Sequence, residues 1–282
     1  MRMSIYEASF TRNIGVITHE EQEKLRSARV TVVGAGGVGG ITDIQLARMG
    51  VGCIHVIDDD VFEESNLNRQ MLSATSVINH SKAETARNVL QDISPEMEVK
   101  VTRVRINEEN AEDLLADTDV IIDATDNLVA RVIIHRTAKK LGIPSIWIAV
   151  TPPFRGGVMA FTPDSPPFEL VMSHPSYQKE LTEEMKQQIN HIKDERAKFS
   201  VSQGALASWA EGYVDGEKPW AVLSPVANIV GILASFEAFK LLIQRPGLEP
   251  AIGPKLVRVD LASENMVKVE TPEDGLWDNT TL

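Results

Sequence analysis

Short apolar runs alternate with longer amphipathic segments through the first half of the chain. The runs are rich in Val and Ile, as buried strands are, and the segments repeat their apolar residues at the period of a helix. The predicted strands are Arg29–Val33, Cys53–Ile57, Glu98–Val104, Asp119–Asp123 and Ser145–Val150. The predicted helices are Ile41–Met49, Ser81–Ile93, Ala111–Ala116 and Leu128–Leu141. This alternation predicts an α/β fold with a Rossmann-like, doubly wound and mostly parallel sheet.

The rhythm changes on both sides of this region, which spans residues 29–150. Residues 1–28 are predicted to form an N-terminal helical arm that ends in the charged helix Thr18–Ser27. Residues 151–282 are predicted to complete the same domain. A strand is predicted at Gly157–Phe161, followed by a polar and partly mobile crossover insertion at Ser173–Glu217 with a helix around Leu181–Arg196. A long helix is predicted at Pro225–Ile243. The chain is then predicted to end in an antiparallel hairpin of Leu256–Leu261 and Met266–Glu270 and a frayed tail after Thr271.

Composition narrows the classes of protein to consider. Of 282 residues, 43% are hydrophobic and 24% are charged, which is typical of a globular protein. A net charge of −12 disfavours broad binding of nucleic acids, whose phosphates are held mainly by Lys and Arg. The single cysteine, Cys53, is predicted to be a buried apolar residue, and a lone thiol fits a reducing cytoplasm. The start of the chain lacks a signal-peptide pattern, and Pro225–Ile243 contains Glu237 and Lys240. A cytoplasmic location without a membrane span is therefore expected.

A glycine-rich turn, G-A-G-G-V-G at residues 34–39, follows the first predicted strand. Its glycines allow the backbone to turn tightly and to approach a phosphate, while N–H groups at the start of the next helix face the anion. Those glycines are Gly34, Gly36, Gly37 and Gly39. Asp58 follows the second strand about 20 residues later, where an acid can accept the hydroxyl groups of a ribose. These features predict a nucleotide site and leave an NAD-dependent dehydrogenase equally open.

Polar residues beyond the second strand favour cleavage of a triphosphate over hydride transfer. Residues 65–70 read S-N-L-N-R-Q, and Lys82 opens the next predicted helix. Arg69 and Lys82 can neutralise charge that develops on an α-phosphate and on departing pyrophosphate. Asn66 and Gln70 can add neutral donors. A dehydrogenase needs no such segment beside its glycine turn.

A further acid follows the fourth strand, in D-A-T-D-N at residues 123–127. This position lies at the carboxyl edge of the sheet, where open α/β sheets bind ligands. Asp126 is a candidate ligand of Mg²⁺, since that ion is often held through one or two carboxylates. Asn127 is predicted to be the N-cap of the following helix, which leaves Asp126 for the metal.

Taken in order, these segments resemble the ThiF/MoeB/HesA superfamily, which also contains the ubiquitin-activating enzymes. The segments that carry the resemblance are FTRNIG, GAGGVGG, DDDVFEESNLNRQ, HSKAE, DATDN and SPVANIVGILASFEAFKLL, and they extend over nearly the whole chain from Phe10. The resemblance implies an ATP-dependent adenylyltransferase that activates a carboxylate as its acyl-AMP. Residues 29–150 would then be the ATP-binding region.

The resemblance also implies roles for single residues. Those that match the family's site for ATP and Mg²⁺ are Asp58, Asn66, Arg69, Gln70, Lys82 and Asp126. Asp58 would hold the ribose, Asp126 would bind Mg²⁺, and the other four residues would surround the phosphates. The resemblance further implies a homodimer in which Arg12, within FTRN, enters the partner's active site.

Departures from the family pattern narrow the chemistry. Many members carry two C-x-x-C pairs that bind zinc, and this chain has only Cys53, so no zinc is expected. Several members place a nucleophilic cysteine in the crossover region, where Ser173–Trp220 offers none. A thioester or persulfide on this protein is therefore not expected, and the acyl-adenylate would pass directly to a nucleophile or to another protein.

Several alternatives stay open. The carboxylate could belong to the C-terminus of a ubiquitin-like protein, to a peptide, to a small molecule or to a modified tRNA, which the acidic charge disfavours. A non-catalytic scaffold of the same family would explain the fold, yet such scaffolds tend to lose the phosphate-contacting residues that this chain retains. An NAD-binding oxidoreductase would explain the glycine turn and Asp58 but not Arg69, Lys82 and Asp126.

Overall fold

The computed structural model describes residues 4–281, so residues 1–3 of the predicted arm and residue 282 lie outside the described part. The strands are β1 (Arg29–Val33), β2 (Cys53–Ile57), β3 (Glu98–Thr102), β4 (Val120–Asp123), β5 (Ser145–Thr151), β6 (Arg155–Phe161), β7 (Leu256–Asp260) and β8 (Val267–Glu270). The helices are α1 (Ile5–Ser9), α2 (His19–Ser27), α3 (Gly39–Met49), α4 (Lys82–Ile93), α5 (Ala111–Leu115), α6 (Leu128–Leu141), α7 (Phe168–Val171), α8 (Glu183–Ser202), α9 (Ala207–Val214) and α10 (Ser224–Ile243). Short 3₁₀ helices lie at Glu64–Asn66 and Thr75–Val77.

The described strands form one eight-stranded sheet in the order β3-β2-β1-β4-β5-β6-β7-β8. Strands β1 to β5 pair in parallel, and β6, β7 and β8 extend the sheet in antiparallel fashion. The predicted fold class is confirmed, including the antiparallel C-terminal extension. The chain leaves β3 on one side of β1 and returns as β4 on the other side. The carboxyl ends of β1 and β4 therefore flank a topological switch point, where such sheets bind ligands.

Helices cover both faces of the sheet. Consecutive strand residues point to opposite faces, so Val32 belongs to a core with α3, α4 and α10, whereas Val33 belongs to a core with α6 and α8. Cys53, predicted to be buried, is 8% exposed. The two cores put α8 on the opposite side of the sheet from α3 and α10.

Helix α10 is the central helix of the first core. By length and composition it could span a membrane, with a mean hydropathy of 1.8, and 56% of its most apolar window is buried. It packs against α3, β5 and β6. Its closest approach is at Gly231, where an added Cβ would lie 2.4 Å from the side chain of Ile41. These contacts make α10 a core helix, as the sequence predicts.

The crossover segment is more regular than the sequence predicts. In place of a partly mobile insertion with a helix around Leu181–Arg196, the chain forms α8 and α9. Helix α8 begins after the N-cap Thr182 and ends at Ser202. Its inward residues Ile189 and Ile192 are buried in the second core. Burial of this stripe explains the regular helix, because apolar packing stabilises a polar helix on one face.

The frayed tail predicted for the last residues is wrong. The backbone N–H of Trp277 donates to the carbonyl of Val171 at 2.7 Å. Asn279 is 5% exposed, and its backbone carbonyl accepts from the guanidinium of Arg196 at 2.7 Å. The tail is polar and looks mobile in the sequence, but its partners α7 and α8 are distant along the chain. These hydrogen bonds attach it to the second core.

Candidate active site

A cleft of about 600 Å³ opens at the carboxyl edge of the sheet, beside the switch point between β1 and β4. Most residues that the sequence assigns to the site line it, namely Gly34, Gly36, Gly37, Asp58, Asn66, Arg69, Gln70, Lys82 and Asp126. Two do not. Gly39 begins α3 behind the turn, and Arg12 is exposed on the N-terminal arm. Parallel strands place their carboxyl ends at one edge, which is why residues distant in sequence meet here.

Two glycines of the turn are required by backbone packing. Gly34 has φ +100°, a left-handed conformation, and an added Cβ would lie 2.7 Å from the carbonyl of Ala124. At Gly39 an added Cβ would lie 1.8 Å from the carbonyl of Gly34. Side chains at these positions would displace the turn from the end of β4.

The other two glycines keep the cleft side of the turn free of side chains. An added Cβ at Gly36 would lie 3.8 Å from the amide nitrogen of Gln70. An added Cβ at Gly37 would lie 3.3 Å from Cγ of Arg69. The bare backbone of the turn therefore faces the S-N-L-N-R-Q segment, as a phosphate between them would require.

Asp58 connects the end of β2 to the glycine turn. Its Oδ2 accepts a hydrogen bond from the N–H of Ala35 at 2.7 Å, and its Oδ1 accepts from the N–H of Asp60 at 2.8 Å. Burial raises the pKa of Asp58, and these two hydrogen bonds oppose that rise. A carboxylate offers about four acceptor sites, so Asp58 retains capacity for the hydroxyl groups of a ribose.

The two acids that follow Asp58 have basic partners. Nζ of Lys82, which is 8% exposed, lies 3.0 Å from a carboxylate oxygen of Asp60. Asp59 pairs with Arg105 at 3.4 Å. The three carboxylates lie within 4.8 Å of one another. Because two of them are already paired, Asp58 is the member best placed to accept from a nucleotide.

The S-N-L-N-R-Q segment presents a cation and an unpaired acceptor. The guanidinium of Arg69 donates to the carbonyl of Ser65 at 2.9 Å. Burial lowers the pKa of Arg69, and the negative charge of Asp126 opposes that effect. Oε1 of Gln70 is buried without a hydrogen-bond partner among the described residues. Asn66 accepts from a backbone N–H within its own loop, so part of its capacity is structural. The unmet acceptor of Gln70 suits a donor from a ligand, since a buried unpaired polar group is costly.

Asp126 is the unpaired acid of the cleft. It is exposed and makes no hydrogen bond or ion pair with any described residue. Asn127 caps α6 as predicted, since its side-chain oxygen accepts from the N–H groups of Val129 and Ala130, both at 3.0 Å. Asp123, by contrast, is fully buried at the end of β4 and is bound to Arg131.

The sequence interpretation misses basic residues that reach the cleft from α8. Lys193 and Arg196 line it, together with Trp220 from the loop before α10. Burial lowers the pKa of Arg196 to about 9. The available signal is spacing: the two cations are three residues apart on a helix, so they share the face that Ile189 buries. That signal becomes meaningful only when the position of α8 is known.

Comparison with known proteins places the chain in a family. The model of the ThiF family matches residues 10–276. This chain belongs to the ThiF family. The match includes every predicted site residue, and the resemblance inferred from the sequence is confirmed at the level of the family.

Two curated relatives resemble this ThiF-family chain over part of their length. The probable adenylyltransferase/sulfurtransferase MoeZ of Mycobacterium tuberculosis is 39% identical over 145 residues, which are 51% of this chain and 37% of MoeZ. The SAMP-activating enzyme E1 of Haloferax volcanii is 37% identical over 147 residues, which are 52% of this chain and 54% of that enzyme. The alignments thus cover about half of each relative or less.

Solved structures share the fold over most of the chain. E. coli MccB superposes with a TM-score of 0.73 and 18% identity, covering 98% of this chain and 72% of MccB. PaaA superposes with a TM-score of 0.69 and 21% identity, covering 95% of this chain and 74% of PaaA. At such identities the superpositions establish the architecture alone.

Proposed function

We propose that this ThiF-family protein is an ATP-dependent adenylyltransferase that activates a carboxylate. A carboxylate oxygen of the substrate bonds to the α-phosphorus of ATP, and the bond from that phosphorus to the oxygen bridging to the β-phosphate breaks. Acyl-AMP and pyrophosphate result. One observation carries the proposal: a single cleft combines a bare glycine turn, the ribose acceptor Asp58, the cations Arg69 and Lys82, and the unpaired acid Asp126.

The residues of the cleft fit ATP. The glycine turn leaves space for phosphates, and Asp58 has acceptor capacity left. In this proposal Asp58 holds the ribose, while Arg69 and Lys82 neutralise charge on the phosphates. Lys82 can do so without moving far, because Asp60, its partner, lines the same cleft.

The cleft also fits Mg²⁺. Asp126 is a carboxylate without a partner among the described residues, and oxygen ligands are what Mg²⁺ prefers. When bound, the ion would neutralise charge on the phosphate oxygens. We propose Asp126 as its protein ligand. Arg69 and Lys193 both act on this carboxylate through opposite charge, so in this proposal Asp126 and its ion lie near the reacting α-phosphate.

For the substrate, we propose the C-terminus of a protein or peptide. The relative from Haloferax volcanii is named a SAMP-activating enzyme, and one structural neighbour is MccB with MccA. Another neighbour is a tRNA N6-threonylcarbamoyladenosine dehydratase bound to ATP. A tRNA-borne carboxylate is disfavoured for this chain, because the chain's net charge of −12 repels phosphate backbones.

We further propose a homodimer in the cytoplasm. Ile232 and Phe236 on the outer face of α10 are each 42% exposed, which suits contact with a second copy. Arg12 is exposed and has no hydrogen-bond or ion-pair partner among the described residues, as a residue that acts in a partner's site would require. The lone cysteine, which is buried, is compatible with a reducing compartment.

Exchange of radioactive pyrophosphate into ATP tests the proposed function. The protein with Mg²⁺ is assayed against C-terminal peptides, small carboxylates and modified tRNA, one at a time. Exchange that depends on one of these compounds establishes adenylation and names the substrate class. Binding of MgATP without exchange for any of them favours a non-catalytic scaffold, and tighter binding of NAD than of MgATP favours an oxidoreductase.

A further inference from the structure

Helix α8 brings positive charge to the cleft from the side that the glycine turn does not occupy. The turn leads into α3, and Lys82 opens α4; both helices pack on one face of the sheet. Helix α8 packs on the other face, against the core that contains Ile121 and Ile134. Lys193 therefore lines the cleft from across the sheet, opposite the cations assigned to the phosphates.

Within residues 4–281, Arg131 and Arg196 on this side of the cleft have partners, and Lys193 has none. Arg131 is bound to the buried carboxylate of Asp123 at 2.6 Å. Arg196 donates to the backbone and side-chain oxygens of Asn279. Nζ of Lys193 makes no hydrogen bond and no ion pair with any described residue. Burial lowers the pKa of Lys193, and Asp126 is the carboxylate that opposes this effect. A half-buried ammonium group without a partner is suited to an anionic ligand.

The geometry of adenylation determines which anion that would be. In displacement at phosphorus, the attacking and leaving oxygens lie roughly in line on opposite sides of the reacting atom. If the proposed function is correct, Arg69 and Lys82 serve the phosphates on the α3 and α4 side of the cleft. The attacking carboxylate would then approach from the α8 side, which Lys193 lines.

We propose that Lys193 binds the substrate carboxylate and positions it for attack on the α-phosphate. The interaction is a charge-assisted hydrogen bond from Nζ to a carboxylate oxygen. In the acyl-adenylate that forms, the same ammonium group lies next to the acyl carbonyl oxygen. This inference rests on the proposed adenylation and adds the residue that recognises the acid. It also gives the crossover helix a role that requires no cysteine.

Calorimetric binding of two probes tests this role without a known substrate. The probes are AMP and 5′-O-(N-acetylsulfamoyl)adenosine, a stable analogue of acetyl-AMP in which a sulfamate replaces the phosphate and an acetyl group supplies the acyl end. For Lys193→Gln we expect about tenfold or greater loss of affinity for the analogue, as for a lost hydrogen bond to a charged group. Affinity for AMP is expected to stay unchanged. Lys193→Arg, which keeps a cation, should recover part of the loss.

The matched control is Lys198→Gln on the same helix, because Lys198 is 53% exposed and pairs with Glu195 away from the cleft. Lys198→Gln should leave the affinity for AMP and the affinity for the analogue unchanged. If Lys193→Gln lost the same affinity for both probes, Lys193 would bind the nucleotide phosphate. If its affinity for both probes were unchanged, Lys193 would contact neither. Either result overturns the inference. If the wild-type protein bound no adenine nucleotide, the proposed function itself would fail first.

Discussion

Arg131 donates to Asp123 at 2.6 Å in the interior of the protein, where neither side chain is more than 7% exposed. The same pair holds Thr125 from both sides. The guanidinium of Arg131 donates to the carbonyl of Thr125 at 2.9 Å, and Asp123 accepts from the N–H of Thr125 at 3.2 Å. His135 also contacts this carboxylate, at 3.3 Å. Because Asp126 follows Thr125 directly, the buried pair sets where the proposed metal ligand emerges.

Loss of Arg131 should destabilise the protein strongly. Arg131→Met leaves the Asp123 carboxylate buried without its guanidinium, and such a loss costs about 3–5 kcal/mol. Urea unfolding measures the change. Lys140→Met on the same helix is the control, since its side chain is 66% exposed and its pair with Glu112 should contribute at most about 1 kcal/mol. Similar losses in both variants would contradict the role of the buried pair.

Two glycines of the turn should respond differently to alanine. Gly39→Ala places a Cβ 1.8 Å from the carbonyl of Gly34, so the turn must move and the melting temperature should fall clearly. Gly36→Ala meets nothing closer than 3.8 Å and should fold normally. Its methyl group faces the cleft, so MgATP affinity should fall about tenfold. Calorimetry and thermal unfolding separate the two effects. Unchanged nucleotide affinity in Gly36→Ala would place the phosphates elsewhere.

Asp126 and Lys82 should be needed for activity but not for folding. Asp126→Ala and Lys82→Ala should each lower the exchange rate about a hundredfold or more, as expected for groups that stabilise charge in the transition state. Neither change breaks a buried ion pair, because Asp126 makes no ion pair with any described residue and Asp60, the partner of Lys82, has a side chain that is 58% exposed. Melting temperatures should stay close to that of the wild-type protein. Wild-type exchange in a folded variant would refute the role of that residue.

Arg12 should act across the proposed dimer. Arg12→Ala and Asp126→Ala should each be nearly inactive alone, whereas mixed dimers should recover part of the activity, since one of their two sites then contains both residues. Recovery is measured by pyrophosphate exchange after unfolding and refolding the variants together. Native mass spectrometry must show that mixed dimers formed. With mixed dimers present and no recovered activity, Arg12 does not act in trans.

Stability should depend on pH through Asp43 in α3. Asp43 is fully buried, and neither carboxylate oxygen has a hydrogen-bond partner among the described residues. Burial, followed by the charge of Asp58, raises the pKa of Asp43 well above its ordinary value. The folded state therefore retains a proton that the unfolded chain loses above about pH 4. As the pH rises further, Asp43 lowers stability by about 1.4 kcal/mol per pH unit until it ionises in the folded state.

The isosteric change Asp43→Asn removes this dependence. The melting temperature of the variant relative to the wild-type protein should therefore rise between pH 5 and pH 8. Asp113→Asn, at an exposed position of α5, serves as the control and should show a constant difference. A constant difference for Asp43→Asn as well would show that Asp43 is ionised in the folded protein across this range.

The sequence by itself determined the order of the strands and helices within residues 29–150 and the bounds of several of them. Arg29–Val33, Cys53–Ile57 and Leu128–Leu141 have the bounds that the sequence predicts. Their signals are local: β-branched runs, a capping Asn127 and the terminating Gly142 all act within a few residues. Because parallel strands end at one edge of a sheet, the same information predicted that the glycine turn, Asp58 and Asp126 would meet.

The tertiary structure decided which residues line the cleft from the α8 side and which polar side chains are buried. Lys193 and Arg196 reach the site only because α8 packs across the sheet, and Asn279 docks on Arg196 from 83 residues away. Asp43 lies in α3, which is covered by the sheet on one face and by α10 on another. The pattern of apolar and polar residues in α3 does not reveal this coverage. These features depend on contacts between distant segments. Such contacts are set by the packing of the whole domain, which local patterns of apolar and polar residues do not encode.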